Sequence, residues 1–590
     1  MGRDELQQAG RPRRWSRISW WYSVILPVAL LLLLITVVID QLGSDPALTG
    51  VVTDAYTGEP VEGVQVLAGA TAVQTDGSGH FSFESPLDGD LSVSGENYES
   101  TQVAVNPTDE ELAIRIRPTT LTGTVTNLRT NEPLAGATVS VESPTRAAVK
   151  TVTDEDGRYV LFDIPGDAVV TVEHPGLSPV SETVANNMVL DFEVRPDILS
   201  GRIVDDNGQP VAGARVELGA LATESGADGA YHLVGVPEDG TIYVKKAGYR
   251  EVVAEFPEDM LLDATLEPFE VKAIYVSALT AGNDQLWAQT LDLIESTELN
   301  AVVLDVKDDL GLVRYDSSVP LADEIGAVDA SYDLNARLQE LQDREIYAIA
   351  RLVVFNDPLL ASQRPDLAVK DVSSGGVWTT WDGVAWVNSL EQEVRQYNVD
   401  LAVEAASAGF DEIQLDYLRF PTDGPIEVAD YGELLSPEVR VSAITGFLTE
   451  MRNSIAPTGS FLAVSVPGII LWDESDNGIG QDLDEITPLV DVVSPMIYPS
   501  HFSPGTFGFD FPNDHPYQVI RVNLERIQER FGANAYKFRP WLQDFSSGLG
   551  IDYGNEEVRA QIDAAEELAN TGWMLWNDAN VYSTSALSAE

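Results

Sequence analysis

The sequence predicts a multidomain protein: an N-terminal transmembrane helix, three all-β sandwich repeats and a C-terminal (β/α)8 barrel. Three observations carry this reading. An almost unbroken apolar run covers residues 20–39. Short strand-like segments recur in one order from 46 to 268. From 270 on, apolar strands alternate with amphipathic helices. A chain of 590 residues is also too long for one hydrophobic core.

The apolar run is long enough to cross a bilayer as a helix, and Pro27 would bend it rather than abolish it. Arg3, Arg11, Arg13, Arg14 and Arg17 precede it; Asp40 and Asp45 follow. The positive-inside rule then makes 1–19 a cytoplasmic basic tail, 20–39 an anchor in the lipid bilayer, and the remainder extracytoplasmic. No small-x-small cleavage site follows Ile39, which favours an uncleaved anchor over a signal peptide. The expected location is the cell membrane, with a single pass.

Basic residues number 35 and acidic ones 94, a formal net charge of −59. Lysine is scarce: Lys150, Lys245, Lys246, Lys272, Lys307, Lys370 and Lys537 are all there are. Such a chain repels phosphate backbones, so nucleic acid is not an expected partner. The plain reading of the charge is a solvated acidic surface. With no cysteine, disulfides, thiolate nucleophiles and zinc–cysteine sites are excluded, and five histidines make a histidine-rich metal cluster improbable. No cofactor is expected.

The repeats span 46–118, 119–197 and 198–268. Leu48-Thr49-Gly50-Val51-Val52 returns as Leu121-Thr122-Gly123-Thr124-Val125 and as Leu199-Ser200-Gly201-Arg202-Ile203. Each is followed by a proline turn: Glu59-Pro60-Val61, Glu132-Pro133-Leu134 and Gln209-Pro210-Val211. An Asp, a Gly and an aromatic strand come next, at 76–83, 154–159 and 228–231. Short β-rich runs with Gly, Asp and Pro at the turns read as antiparallel sandwiches. The pattern resembles the carboxypeptidase regulatory-like, transthyretin-like β-sandwich family, which implies a spacer or adhesive role. The repeats contain no Trp, the usual sugar-stacking residue, so carbohydrate binding is the weaker expectation for them.

In 270–590 the candidate strands are 272–277, 301–306, 347–354, 412–417, 461–466, 492–498, 539–542 and 572–576, with helices between them. Eight such units match a TIM barrel with loop insertions. A doubly wound sheet lacks support, because no Gly-rich phosphate loop follows the first strand. The central stretch is 411–421. Ile413 and Leu415 alternate with Gln414 and Asp416, so Asp416 stands at the C-terminal end of a strand, where barrel enzymes keep their chemistry.

Other strand ends add Asp305 with Lys307, Arg351, Tyr498 with His501, Gln543 with Asp544, and Asn577. Glycoside cleavage needs two carboxyl groups across the scissile bond. Asp416 is the expected nucleophile or base; the plain alternative is a structural acid paired with Arg419. For the acid partner the candidates are Asp473, ranked first, then Asp305 and Asp544. Lys307, on the same strand face as Asp305, would hold that group ionised and argue against an acid role. Arg351, Arg419, Tyr498, His501, Gln543 and Asn577 are expected to position substrate. Trp378, Trp381 and Trp386 crowd one predicted loop, either as sugar platforms or as a small core of its own. The run Asp473-Glu474-Ser475-Asp476-Asn477-Gly478, with Asp484, loosely imitates a calcium loop, but Ser475 and Asp484 depart from the preferred ligands.

At these residues a second resemblance is specific. Ala273-Ile274-Tyr275-Val276-Ser277, the stretch 297–308, the stretch 411–421 and Val493-Ser494-Pro495-Met496-Ile497-Tyr498-Pro499-Ser500-His501 resemble the glycoside-hydrolase-like family DUF4015, a glycosidase-like TIM barrel. The resemblance implies exported carbohydrate chemistry and a fourth-strand carboxylate. The first functional reading is therefore a membrane-anchored glycosidase with a cell-envelope or environmental polysaccharide as partner. The competitors are a non-catalytic carbohydrate-binding or scaffolding protein with a degenerate barrel and, more weakly given the few histidines, a polysaccharide deacetylase.

Overall fold

The computed structural model describes residues 48–84, 89–106, 109–143, 146–184, 187–548, 550–569 and 571–589. The expected tail and anchor at 1–39 lie outside them. Among the described residues no helix is long and apolar enough to cross a membrane. The chain divides into two compact units, Met1–Pro196 and Asp197–Glu590.

The first unit holds two copies of one arrangement. In the first copy a three-stranded sheet centred on Leu48–Asp54 shares its core with a four-stranded sheet centred on Gln65–Ala68 and Leu91–Ser94. The second copy repeats this around Leu121–Asn127, Thr138–Ser143 and Val169–His174. Strict alternation of buried and half-buried residues along Leu48–Asp54 is the two-residue period of a strand with one face in a core. The repeated motif has a steric cause at Gly123, where a Cβ would lie 1.8 Å from the Leu190 carbonyl oxygen. That same oxygen accepts a hydrogen bond of 2.7 Å from the Tyr159 hydroxyl, so the Gly and the Tyr of the motif serve one crossing point.

The second unit begins with a third copy, around Ile198–Asp205, Arg215–Leu218 and Thr241–Lys245. Gly201 and Tyr231 repeat the crossing at the Leu262 carbonyl. A closed barrel of eight parallel strands follows: Val271–Val276, Ala301–Lys307, Tyr347–Val353, Glu412–Asp416, Phe461–Pro467, Val492–Met496, Trp541–Gln543 and Gly572–Trp576. Helices such as Gln392–Ala408 and Pro437–Ile455 form the outer layer. Gly409, at φ 114°, ends the first of these and lets the chain turn into the fourth strand.

The third copy packs on the barrel through a buried charge cluster. Lys245 Nζ lies 2.9 Å from Glu217 Oε2 and 3.8 Å from Asp491 Oδ2. Arg452 bridges the same two carboxylates at 3.3 and 3.0 Å. Lys245 also donates to the carbonyls of Gly459 and Ser460. Burial works against an ionised Asp491, but Arg452 and Lys245 outweigh it and hold the carboxyl well below its ordinary range. Ser460 and Asp491 immediately precede the fifth and sixth strands. The third copy therefore covers the N-terminal end of the barrel.

Candidate active site

Strand parity builds the site. Ile413 and Leu415 join the core under the helices, while Glu412, Gln414 and Asp416 point into the barrel. Glu412 pairs with Arg539 low in the barrel. Gln414 Oε1 accepts from Trp541 Nε1 and from Ser465 Oγ, both at 3.2 Å. Asp416 reaches the C-terminal end and lines a cavity of about 790 Å³.

Asp416 is firmly oriented. Arg351 places Nε 2.8 Å and Nη2 2.7 Å from Oδ2, and the Tyr417 amide donates to Oδ1 at 2.8 Å. Tyr417 has φ +52°, a left-handed conformation that is costly for a bulky side chain. The contacts around Asp416 hold that strain in place. Arg351 Nη1 continues to Asp305 Oδ1 at 2.8 Å, and the Tyr275 hydroxyl donates to Asp305 Oδ2 at 2.6 Å. Burial raises the Asp305 carboxyl, and Arg351 opposes that rise. Tyr275 stacks on Trp576 with centroids 4.1 Å apart, closing the far side of the chain of contacts.

Trp541, Trp576, Tyr498 and Phe502 give the cavity aromatic walls. Ser465, Asn477, Gln481 and His501 supply polar edges. Burial lowers the His501 imidazole and pushes the Tyr498 hydroxyl well up, so both are neutral hydrogen-bonding groups at pH 7. Oriented polar groups set among aromatic faces suit a sugar, whose ring has an apolar side and a hydroxyl-bearing edge.

Of the residues expected from sequence, Arg351, Asp416, Arg419, Tyr498 and His501 meet in this cavity, and Asp305 backs it through Arg351. Others do not. Asp473 is exposed and away from the lining, and hydrogen bonds from Ser475 hold its carboxyl low, the wrong direction for an acid. Asp544 is buried, with both oxygens taken by Ser583. Gln543 is fully buried and serves Ser500, Asn513 and the Phe545 carbonyl. Asn577 ties down the Asp544 and Val581 carbonyls. Trp378 is buried, with its Nε1 on the Pro425 carbonyl, and Trp386 is buried beneath Arg419; both join the core between strands and helices of the barrel, neither as sugar platforms nor as a core of the loop's own. Trp381 is 78% exposed and outside the cavity lining.

Two expected pairings are also corrected. The register of the second strand shifts between Asp305 and Lys307, so Lys307 turns outward to Asp357 at 2.7 Å and leaves Asp305 to Arg351. Arg419 approaches Asp423 and stacks on Trp386, whereas the cation of Asp416 is Arg351. The pseudo-calcium run is tied up as well: Asp476 pairs with Arg440 and Asp484 with Arg530. Trp576 and Trp541 escaped the sequence reading. Continuing the alternation from Met574, an interior residue, points Trp576 inward and Asn577 away.

Among the described residues, Asp416 is the one carboxylate of the cavity lining. It can act as an acceptor, nucleophile or base. A proton donor would have to come from a neighbouring group or from the ligand.

No curated protein sequence matches this chain. Among solved structures, a hypothetical protein from Ruminiclostridium thermocellum ATCC 27405 is 36% identical, covering 32% of this chain and 96% of that one, with a TM-score of 0.30. The glycoside hydrolase domain of PgaB (BpsB) from Bordetella bronchiseptica is 14% identical, over 54% of this chain and 99% of that one, with a TM-score of 0.43. TtGalA, an α-galactosidase from Thermus thermophilus, is 15% identical, over 62% and 77%, with a TM-score of 0.34. Residues 120–195 match the carboxypeptidase regulatory-like domain. Residues 273–582 match the family model described as "Putative glycosyl hydrolase domain". With that match spanning more than half of its length, the chain belongs to the DUF4015 glycosyl-hydrolase-like family.

Proposed function

We propose that the barrel is a glycosidase that cleaves a cell-envelope or environmental polysaccharide, with Asp416 as nucleophile or base. The supporting observation is one carboxylate, oriented by three N–H donors, at the C-terminal end of a barrel strand and inside an aromatic-walled cleft. Arg351 fixes its geometry; Asp305 and Tyr275 fix Arg351. Of the carboxyl groups considered as acid, Asp305 is the one that remains near Asp416, linked through a shared guanidinium. In this reading the N-terminal run 20–39 anchors the protein and the barrel works outside the cytoplasm.

The second reading is a carbohydrate-binding protein with a degenerate barrel. A specific observation favours it: no second carboxylate joins Asp416 in the cavity lining among the described residues, whereas a two-carboxylate mechanism needs a pair facing the bond.

Turnover of a broad polysaccharide and peptidoglycan-fragment panel by the full chain, beside Asp416→Asn, separates the two. A glycosidase shows product formation that falls on the order of a thousandfold or more in the variant. Binding without turnover by both proteins selects the second reading. Turnover that survives in Asp416→Asn removes Asp416 from the chemistry.

A further inference from the structure

We infer that the cleft takes an anionic polysaccharide, with sugar units bearing a carboxylate or sulfate, and that Arg419 recognises the anionic group. This rests on the reading of the cleft as a carbohydrate site and names its substrate class.

The chain has 35 basic residues against 94 acidic ones, yet the cavity beside Asp416 is lined by two arginines and one carboxylate. The two arginines differ in what they already hold. Arg351 is clamped between Asp305 and Asp416, so its single charge is already matched by two carboxylates. Arg419 is not matched in this way. Its Nη1 donates to the Phe420 carbonyl at 3.2 Å, and its nearest carboxylate is Asp423, 3.9 Å away on a side chain that is 58% exposed. A water-facing pair at that distance neutralises little.

Arg419 is nevertheless held in place. Its guanidinium carbon sits 4.9 Å from the ring centroid of Trp386 and 5.7 Å from that of Tyr417. Trp386 is itself buried, so the platform is fixed. A stacked guanidinium with N–H donors to spare is preorganised for a fork-shaped contact with an oxyanion. The loop tryptophan thus acts through the arginine it carries.

The alternatives fit less well. A cationic amino sugar would meet Arg419 and find the one cleft carboxylate already engaged by Arg351. A neutral sugar would leave Arg419 with only the Phe420 carbonyl and the distant, exposed Asp423. The acidic surface of the chain opposes an anion at long range, but at physiological salt that field decays over about 8 Å, while the Arg419 contact is direct.

The experiment uses the full chain with paired probes: oligogalacturonate against its carboxyl-reduced form, a sulfated galactan oligosaccharide against its desulfated form, and chitosan oligosaccharide. Calorimetric affinity and product formation are both recorded for wild type, Arg419→Gln and Arg419→Lys. One charged probe or the other is expected to bind on the order of tenfold or more tighter than its neutral partner. The preference should vanish in Arg419→Gln and persist in part in Arg419→Lys, which keeps the charge should the glutamine variant fold poorly. Preference within the first pair identifies a carboxylate, within the second a sulfate. Equal binding within both pairs, a preference for chitosan, a preference that survives Arg419→Gln, or no binding at all overturns the inference. Cleavage of neutral probes without charge preference overturns it while leaving the glycosidase reading intact. Selective binding of an anionic probe without product does the opposite.

Discussion

The second and third repeats share a fold position by position and differ on one sheet face. Across the central strands of the four-stranded sheet, the second pairs Ser140 with Thr171 and Thr138 with Glu173. At the same positions the third pairs Glu217 with Tyr243 and Arg215 with Lys245. The first repeat, with Leu67–Ser92 and Gln65–Ser94, resembles the second in carrying no charge pair there. The inward faces of all three are apolar and interchangeable in kind. The fold is set by one face and the attachment by the other. The third module joins the barrel because its outward strand residues are charged groups with buried partners there.

The largest break in this comparison is Lys245→Met. It removes the buried cation that Glu217 and Asp491 share with Arg452, leaving Arg452 and Arg215 to face them; the full loss of a buried partner costs about 3–5 kcal/mol, which sets the upper bound here. Every Trp of the described residues lies in the barrel, so the loss should appear as an earlier urea transition followed by Trp fluorescence. A midpoint unchanged from wild type would mean that the cluster does not hold the third repeat to the barrel. Next in size are Gly201→Ala and Gly123→Ala, which press a Cβ onto a backbone carbonyl in each repeat. Each should cost about 1–3 kcal/mol or more, to a similar extent in both repeats, by calorimetric melting. Unequal losses would show that the crossing is not a shared device.

Glu251 sharpens the comparison through pH. Burial at the barrel contact pushes its carboxyl up to about 7 from an ordinary 4.5. The folded state therefore keeps a proton that the unfolded chain gives up. Stability from this group is full below pH 4.5, is lost as pH rises through about 7, and is flat beyond. Glu251→Gln should abolish that slope and raise stability at pH 8 by about 1–2 kcal/mol, discounted for partial exposure. The counterpart of Glu251 in the sequence of the second repeat is Pro179, which cannot titrate. A slope that persists in Glu251→Gln would assign it elsewhere. The smallest effect belongs to Glu173→Met, the counterpart of Lys245, which should shift the second repeat's melting by no more than about 0.5 kcal/mol.

The barrel was legible because parallel strands buried on both faces read as apolar runs, and the runs at 301–306 and 572–576 coincide with strands to within a residue. Asp416 and Arg351 were legible for a related reason: strand ends converge in a barrel, so position on a strand implies position in space. Asp473 failed because it sits after a strand in a loop, where no periodicity fixes direction. Lys307 failed because a register shift cancels alternation within a single residue, and nothing in the local sequence announces it. Trp378 was undecidable locally, since its burial depends on the Pro425 carbonyl 47 residues away. The Lys245 cluster was invisible for the same reason on a larger scale, its acceptors at Gly459 and Ser460 lying more than 200 residues further on.

The third repeat sits on the N-terminal end of the barrel, and Asp416 opens at the other. Within this unit, whatever holds the repeat holds the barrel by its closed end. Within the same unit, a ligand that approaches the mouth does so from the side opposite the repeat. A fusion partner or solid support joined through the repeat would leave the same approach clear.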